Sequence, residues 1–218
     1  MKIHEFIPEE QLDEAVIDQK IREILEDKGY KFLGAGIDQQ AYLEPSSGQV
    51  LKIFGTQFGK GLTTSGKPQF TKGQKMFFFW AKYCMDRQNN PFLPKFYGFE
   101  SFMFNGNPYL QIRQEKLNEN DVIGLAVARA GVNISWSAHR LNASNVFHEL
   151  GTEAEHDGEK WFNQLTKNLG REKTALLLST ILDLFNISDK KNWYWDLHND
   201  NVMSRGSDFP VIVDPWVA

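Results

Sequence analysis

The sequence predicts an α+β protein in which strands dominate the first half and helices the second. Short apolar runs separated by glycine, proline and asparagine turns occupy residues 30–113, a pattern typical of antiparallel strands. From residue 121 to residue 185 the apolar side chains recur every three to four positions, which indicates helices. Two more apolar runs, residues 201–203 and 211–213, stand on either side of a Gly-Ser-Asp turn and predict a final strand pair.

The composition indicates a globular protein of one large domain or two small lobes. The chain has 218 residues, of which 17 are phenylalanine and 6 are tryptophan, enough for a substantial core. The net charge of −4 argues against general nucleic-acid binding, which needs a basic surface. The single cysteine, Cys84, excludes an internal disulfide and a zinc cluster. Because the N-terminus lacks an apolar signal core, we expect a cytoplasmic protein with no membrane partner.

The first half is predicted to contain two helices and five strands. The first helix, residues 8–28, begins among acidic residues and ends before Gly29, as the helix dipole and the usual C-terminal glycine favour. It forms an N-terminal extension over residues 1–29. The strands are expected at residues 30–33, 41–44, 49–54, 100–104 and 109–113, with the second helix over residues 70–90.

The second half is predicted to be mainly helical. The segment 172–185 is apolar on nearly all sides, so we expect it to be the buried central helix of this half. Residues 131–143 are predicted to be irregular. The other helices are expected at residues 121–130, 145–150 and 159–169.

A lysine interrupts an apolar strand in the first half. Lys52 lies in the run Val-Leu-Lys-Ile-Phe, and strand alternation places it on the face opposite Leu51 and Ile53. Burying a lysine is costly unless an anion meets it. Gly34 and Gly36 lie upstream, and glycines let backbone N–H groups approach a phosphate. This half therefore predicts a phosphate site.

Oxygen ligands concentrate around the final strand pair. Asp196 and Asn201 precede its first strand, and Asp214 follows its second strand. Antiparallel pairing would bring these three residues to one end of the pair. Two carboxylates and an amide suit a magnesium ion and a hydroxyl that needs a base.

These motifs resemble those of the protein-kinase-like fold family. The string Asp-Leu-His-Asn-Asp-Asn, residues 196–201, followed by a strand pair and Asp214, resembles the catalytic loop and the metal-binding aspartate. Leu-Gly-Ala-Gly, Ala-Tyr and Val-Leu-Lys-Ile between residues 33 and 53 resemble the glycine-rich loop and the nucleotide lysine. The whole pattern, over about residues 30–216, is most similar to the minimal Ser/Thr protein kinases of short-tailed bacteriophages.

The resemblance implies a two-lobed, protein-kinase-like fold with a truncated C-terminal lobe. Residues 30–117 would form the nucleotide lobe and hinge, and residues 118–218 the catalytic lobe. The implied activity is ATP- and Mg²⁺-dependent phosphorylation of Ser or Thr in bacterial host proteins, in the host cytoplasm.

The resemblance also implies a role for each site residue. Asp196 would accept or orient the hydroxyl proton, and Lys52 would hold phosphate oxygens of ATP. Asn201 and Asp214 would bind magnesium. The remaining contacts to the nucleotide would come from Gly34, Gly36, Glu115 and Leu117, the last two in the hinge.

The sequence departs from the kinase pattern at several positions. The third glycine of the loop is absent, and Pro215 and Trp216 follow the last aspartate in place of Phe-Gly. Residues 53–99 contain no glutamate to pair with the lysine. Gln74, another residue or the phosphates alone could take that part. His198 stands where protein kinases have lysine, as in aminoglycoside phosphotransferases, and we expect it to pack or hydrogen-bond within the loop.

Alternative functions follow from these departures. The chain could be a small-molecule kinase, a pseudokinase that acts by binding a partner, or an AMP transferase that uses the same metal ligands. Residues 61–68 have the spacing of a P-loop, but Pro68 stands where the magnesium-binding Ser or Thr belongs. We therefore expect residues 55–73 to form a mobile basic loop, with Thr63, Thr64 and Ser65 as alternative autophosphorylation sites.

Overall fold

The computed structural model describes residues 14–35, 39–55, 70–104, 106–119, 121–156, 160–206 and 209–217. These residues form two compact units. The first unit contains the described residues up to Asp86 together with Lys95–Lys116, and the second contains Arg87–Pro94 and the described residues from Leu117 onward. The protein is mixed α and β with antiparallel pairing in its sheets, as the sequence predicts. Gly36 and the P-loop-like segment lie outside the described residues.

The first unit is a five-stranded antiparallel sheet with two helices. All five predicted strands are present, and the sheet order is β1-β2-β3-β5-β4. The fourth strand begins earlier than predicted, with an irregular register between Phe96 and Phe99. The start predicted for the first helix lies outside the described residues. The elements are α1 (Glu14–Asp27), β1 (Lys31–Ala35), β2 (Gln40–Leu43), β3 (Val50–Gly55), α2 (Lys72–Met85), β4 (Phe96–Phe104) and β5 (Asn107–Gln114).

Strand β3 sends alternate side chains to the two faces of this sheet. Leu51 and Ile53 are buried in a cluster that includes residues of α1. On the opposite face Phe54 contacts Phe77 and Phe78 of α2, with ring centroids 5.0 and 5.2 Å apart. The predicted alternation is confirmed, and each face of the sheet is covered by one helix.

A capping box ties the start of α2 to the end of β3. The Thr71 hydroxyl accepts a hydrogen bond from the Gln74 backbone N–H, and Gln74 Oε1 accepts one from the Thr71 backbone N–H. Gln74 is 3% exposed, and its Nε2 donates to the Gly55 carbonyl at 2.7 Å. Both polar side-chain atoms of Gln74 therefore bond to the backbone, one within the cap of α2 and one at the end of β3.

The second unit packs four helices with short strands. Helix α6 (Arg171–Lys191) contains several completely buried residues, among them Leu177, Ile181 and Leu184. This confirms the predicted buried helix. Among the described residues, no helix combines the length and the apolar character needed to cross a membrane. The elements are β6 (Asn118–Glu119), α3 (Asp121–Ser137), α4 (Val146–His156), α5 (Lys160–Leu169), α6 (Arg171–Lys191), β7 (Tyr194–Trp195), β8 (Val202–Arg205), β9 (Phe209–Ile212) and β10 (Trp216–Val217).

The prediction of irregular chain over residues 131–143 is wrong for residues 131–137 and is confirmed for residues 141–143. Helix α3 continues to Ser137, and a short 3₁₀ turn follows over residues 138–140. Glycine and β-branched residues weaken the local helix signal here. Tertiary packing overrides that signal, because Ala130 and Ile134 are completely buried. Helix α6 likewise runs past its predicted end and stops where Asn192 adopts a left-handed conformation, with φ of 54°.

The segment Arg87–Pro94, which the sequence analysis assigned to the first lobe, packs with the second unit. Phe92 stacks on Phe209 with ring centroids 5.0 Å apart, and its carbonyl accepts a 2.9 Å hydrogen bond from the Ile212 N–H. The Arg205 guanidinium donates to the carbonyls of Pro91 and Leu93. These contacts attach the segment to the β8–β9 hairpin.

The first unit also carries a compact charge cluster on its sheet. Tyr30 donates a 2.7 Å hydrogen bond to Glu44 Oε1, the Ser47 hydroxyl donates to Glu44 Oε2, and Arg113 Nε lies 3.6 Å from Oε1. The Ser47 hydrogen bond, with help from Tyr30 and Arg113, holds the pKa of Glu44 below its ordinary value of 4.5. The ionised carboxylate therefore stabilises the folded state above about pH 4.5, and this stabilisation is lost as the pH falls through the lower, folded pKa.

We predict that Glu44→Gln makes the free energy of unfolding less dependent on pH between about pH 5 and about pH 3. The wild-type free energy of unfolding should fall more steeply than that of the variant as the pH is lowered from about 5 to about 3. Denaturant titrations at a series of pH values measure this difference. Glu23→Gln, at an exposed position of α1, is the control and should keep the wild-type slope. Parallel curves for Glu44→Gln and wild type would contradict the prediction.

Candidate active site

Gly34 and Lys52 lie in one cross-strand row of the first unit. Gly34 pairs with Ala41 of β2, and Ala41 pairs with Lys52 of β3. The register of β1 shifts between Phe32 and Gly34, so the strand is distorted beside the glycine. Because neighbouring strands are about 4.8 Å apart, the two residues are separated by about 10 Å along the row.

The Lys52 ammonium lies over an aromatic ring of α2. Its Nζ is 4.7 Å from the centre of the Phe77 ring, within the range of a cation–π interaction. Gln74, one of the residues considered as a substitute for the missing glutamate, is committed to the helix cap and to Gly55. The residue that α2 presents to the lysine is therefore a phenylalanine.

The expected hinge begins with a reciprocal hydrogen-bonded pair. The Glu115 N–H donates to the Lys95 carbonyl at 2.9 Å, and the Lys95 N–H donates to Glu115 Oε1 at 2.8 Å. The Glu115 N–H is thus engaged within the first unit. Leu117 belongs to the second unit, where its side chain is buried.

The sequence analysis missed Gln114, which precedes this pair at the end of β5. Lys52 pairs with Ile112, and Gln114 is two residues further along, so both side chains leave the same face of the sheet. Gln114 is 6% exposed, and its Oε1 has no hydrogen-bond partner among the described residues. An unpaired buried acceptor costs about 1–3 kcal/mol, which a ligand with an N–H group would relieve. The signal in the sequence is a polar residue at a buried position of an alternating strand.

The second unit brings Asp196, Asn201 and Asp214 together. Asn201 Nδ2 donates to the Asp196 carbonyl at 2.6 Å and to its Oδ2 at 3.2 Å. The Asp196 N–H donates to the Pro215 carbonyl at 3.0 Å, and the Val213 N–H donates to the Asn201 carbonyl at 2.9 Å. Asp214 lies between the two residues that make these last bonds. Its neighbours on both sides are therefore held against the loop, as predicted for one end of the strand pair.

Two strand pairings hold the ends of this loop. Before Asp196, Trp195 pairs with Trp216 in the β7–β10 ribbon. After Asn201, Val202 pairs with Ile212 in the β8–β9 hairpin. Trp216 is buried, and its Nε1 donates to the Leu184 carbonyl of α6 at 3.1 Å. The loop is thereby fixed to α6, whose Leu184 is completely buried.

His198 caps the short 3₁₀ turn over residues 199–201. Its Nδ1 accepts a 3.2 Å hydrogen bond from the Asp200 N–H, which confirms the expected bond within the loop. The neutral imidazole must then carry its proton on Nε2. Nε2 lies 3.6 Å from Asp196 Oδ2, so the ring stands beside the carboxylate with its N–H on that side.

The oxygen atoms of this cluster fit magnesium. Asn201 holds the loop through its nitrogen, which leaves Oδ1 as the ligand atom, and Asp214 is exposed. Within the described part of the chain, no group of three or more His, Cys, Asp or Glu side chains could hold a metal ion. Two hard oxygen side chains, completed by phosphate and water, are a common magnesium site, whereas zinc needs more ligands from the protein.

Helix α3 packs against the loop at a glycine. A Cβ added to Gly124 would lie 2.3 Å from Asn199 Oδ1 and 3.2 Å from the Asn199 carbonyl oxygen. A Cβ added to Gly131 would have its three nearest contacts with the side chain of Leu197, the closest at 2.8 Å. The first position therefore touches the backbone of the loop, and the second touches a side chain that can move.

Comparison with known proteins does not assign the chain to a family. No family model matches it, and no curated protein is significantly similar to it. The case for function therefore depends on the residues and geometry described above.

We predict that Gly124→Ala destabilises the protein although alanine favours helices by about 1 kcal/mol over glycine. Overpacking against the loop should cost about 1–3 kcal/mol, measured by denaturant unfolding. The Asn201 side-chain amide resonances should also shift, because the loop that they hold is displaced.

Gly131→Ala, on the same helix, is the matched control for this substitution. It should cost less, because Leu197 can change rotamer. Equal stability of the two variants, or an unchanged Asn201 amide, would show that the Gly124 contact does not position the loop.

Proposed function

We propose that this protein is an ATP- and magnesium-dependent kinase that phosphorylates a hydroxyl group, with Ser or Thr of proteins as the acceptor. In this proposal the two units are the lobes of a protein-kinase-like fold with a truncated C-terminal lobe. The observation that carries it is the hydrogen-bonded set of Asp196, Asn201 and the strand end at Asp214. It combines a base and two hard oxygen ligands on a fixed loop, which is what phosphoryl transfer requires.

Asp196 is the proposed catalytic residue. Its side chain is 38% exposed, so a hydroxyl can reach it, and Asn201 fixes its orientation. The acceptor oxygen would attack the γ-phosphorus of ATP, the bond from that phosphorus to the β,γ-bridging oxygen would break, and ADP would leave. The hydroxyl proton would pass to the Asp196 carboxylate.

Asn201 and Asp214 would hold magnesium, whose charge would offset that of the phosphates. Lys52 would bind phosphate oxygens, with Gly34 in the same row of the sheet. Beside Glu115 in the proposed hinge, Gln114 Oε1 has no hydrogen-bond partner among the described residues and would accept a hydrogen bond from the amino group of adenine.

The choice of a protein acceptor rests on the resemblance of the sequence motifs to those of phage protein kinases and on one surface feature. Tyr194 is 71% exposed and lies two residues from Asp196. It pairs with Val217, which is 49% exposed, on the β7–β10 ribbon. An exposed apolar pair beside the base offers a polypeptide a contact that a small polar substrate does not need.

We predict that Asp196→Asn and Asp214→Asn each abolish transfer from γ-labelled ATP to proteins of a bacterial lysate. Loss of the base should reduce the rate by about 10²–10⁴-fold. The matched control is Asp200→Asn, in the same loop, whose side chain is 85% exposed and which should retain wild-type transfer. Label that persists on proteins in both variants would contradict the proposal.

Other patterns of labelling would replace the proposal with a different function. Label found only on small molecules would indicate a small-molecule kinase. Label transferred from α-labelled ATP, and not from γ-labelled ATP, would indicate AMP transfer. ATP binding without any transfer, by folded wild-type protein, would indicate a pseudokinase.

A further inference from the structure

We propose that the Phe77 ring positions the Lys52 ammonium for phosphate binding, in the place where kinases use a helix glutamate. The inference rests on the proposed function, because its consequence concerns the binding of ATP. It answers a question that the sequence leaves open, namely which residue of α2 replaces the missing carboxylate.

The contact itself is direct. Lys52 Nζ lies 4.7 Å from the centre of the Phe77 ring. A cation at this distance over a ring face is attracted by the ring quadrupole. Helix α2, residues Lys72–Met85, contains no acidic residue. The helix therefore contacts the lysine through an aromatic ring and supplies no carboxylate to it.

The Phe77 ring is itself held in place by two neighbours from the sheet. Its centroid is 5.0 Å from that of Phe54, which is 1% exposed, and 5.9 Å from that of Phe96. Phe54 lies two residues from Lys52 on the same face of β3. The ring thus bridges α2 to the strand that carries the lysine, and its face is a fixed surface for the ammonium.

A ring and a carboxylate would act differently on this lysine. A carboxylate neutralises part of the ammonium charge and competes with phosphate for its N–H groups. The ring attracts the cation from one side and carries no net charge. The ring would therefore position the ammonium without itself adding an anion that competes with the triphosphate.

Phe77→Leu tests the idea by removing the ring while it keeps an apolar side chain. The KM for ATP should rise about tenfold, as expected for the loss of one cation–π contact, with a smaller change in kcat. Phe77→Tyr keeps the ring face and should keep the wild-type KM. Phe78→Leu is the matched control, because Phe78 also packs on Phe54. It should cost similar stability and leave the KM unchanged.

A spectroscopic measurement separates this inference from the proposed function. In protein with ¹³C-labelled lysines, the ring current of Phe77 should shift the Lys52 ε-CH₂ resonance upfield, and Lys52→Arg identifies that resonance. The shift should disappear in Phe77→Leu and persist in Phe78→Leu. If the protein transfers no phosphate, the proposed function is wrong, but this measurement still shows whether the Phe77 ring lies against Lys52.

A fluorinated ring at position 77 tests the inference if Phe77→Leu does not fold. Trifluorophenylalanine at position 77 keeps the shape of the ring and weakens its quadrupole, so the KM for ATP should rise in the folded protein. An unchanged KM in this protein, or an unchanged Lys52 resonance in folded Phe77→Leu, would overturn the inference.

Discussion

The Asn201 side chain makes the hydrogen bonds on which the candidate site depends. Through its nitrogen it closes the loop onto the carbonyl and carboxylate of Asp196. In the proposed function its oxygen would bind magnesium. One amide would then couple the position of the proposed base to that of the proposed metal ligand. A carboxylate at position 201 could bind a metal but could not donate these bonds.

The rest of the second unit supports this loop from three sides. The β7–β10 and β8–β9 pairings hold its two ends, and the Trp216 indole attaches the first of them to α6. Gly124 lets α3 approach Asn199, whose Oδ1 would lie only 2.3 Å from an added Cβ. The stability of the helical core and the geometry of the site are thus linked, because the same contacts serve both.

The two faces of the sheet in the first unit differ in the side chains that they carry. One face forms an apolar core with α1. The other face combines the rings that pack on α2 with Lys52 and Gln114, two polar side chains in a largely aromatic setting. Burying a polar group in such surroundings destabilises the folded state unless the group has a hydrogen-bond or charge partner. Aromatic rings can hold a cation there without introducing a second buried charge, which would carry its own desolvation cost.

The sequence by itself determined the positions of the strands in the first unit, the buried helix α6 and the clustering of Asp196, Asn201 and Asp214. These features depend on local periodicity and on residues close to a turn, so neighbours in the chain contain the information. The tertiary structure alone decided that α3 continues past Gly131, that residues 87–94 pack on the β8–β9 hairpin, and that Gln114 and Phe77 share a face with Lys52. Each of these outcomes depends on burial against residues distant in the chain. Such packing can override local propensity, and it cannot be predicted from the pattern of neighbouring residues.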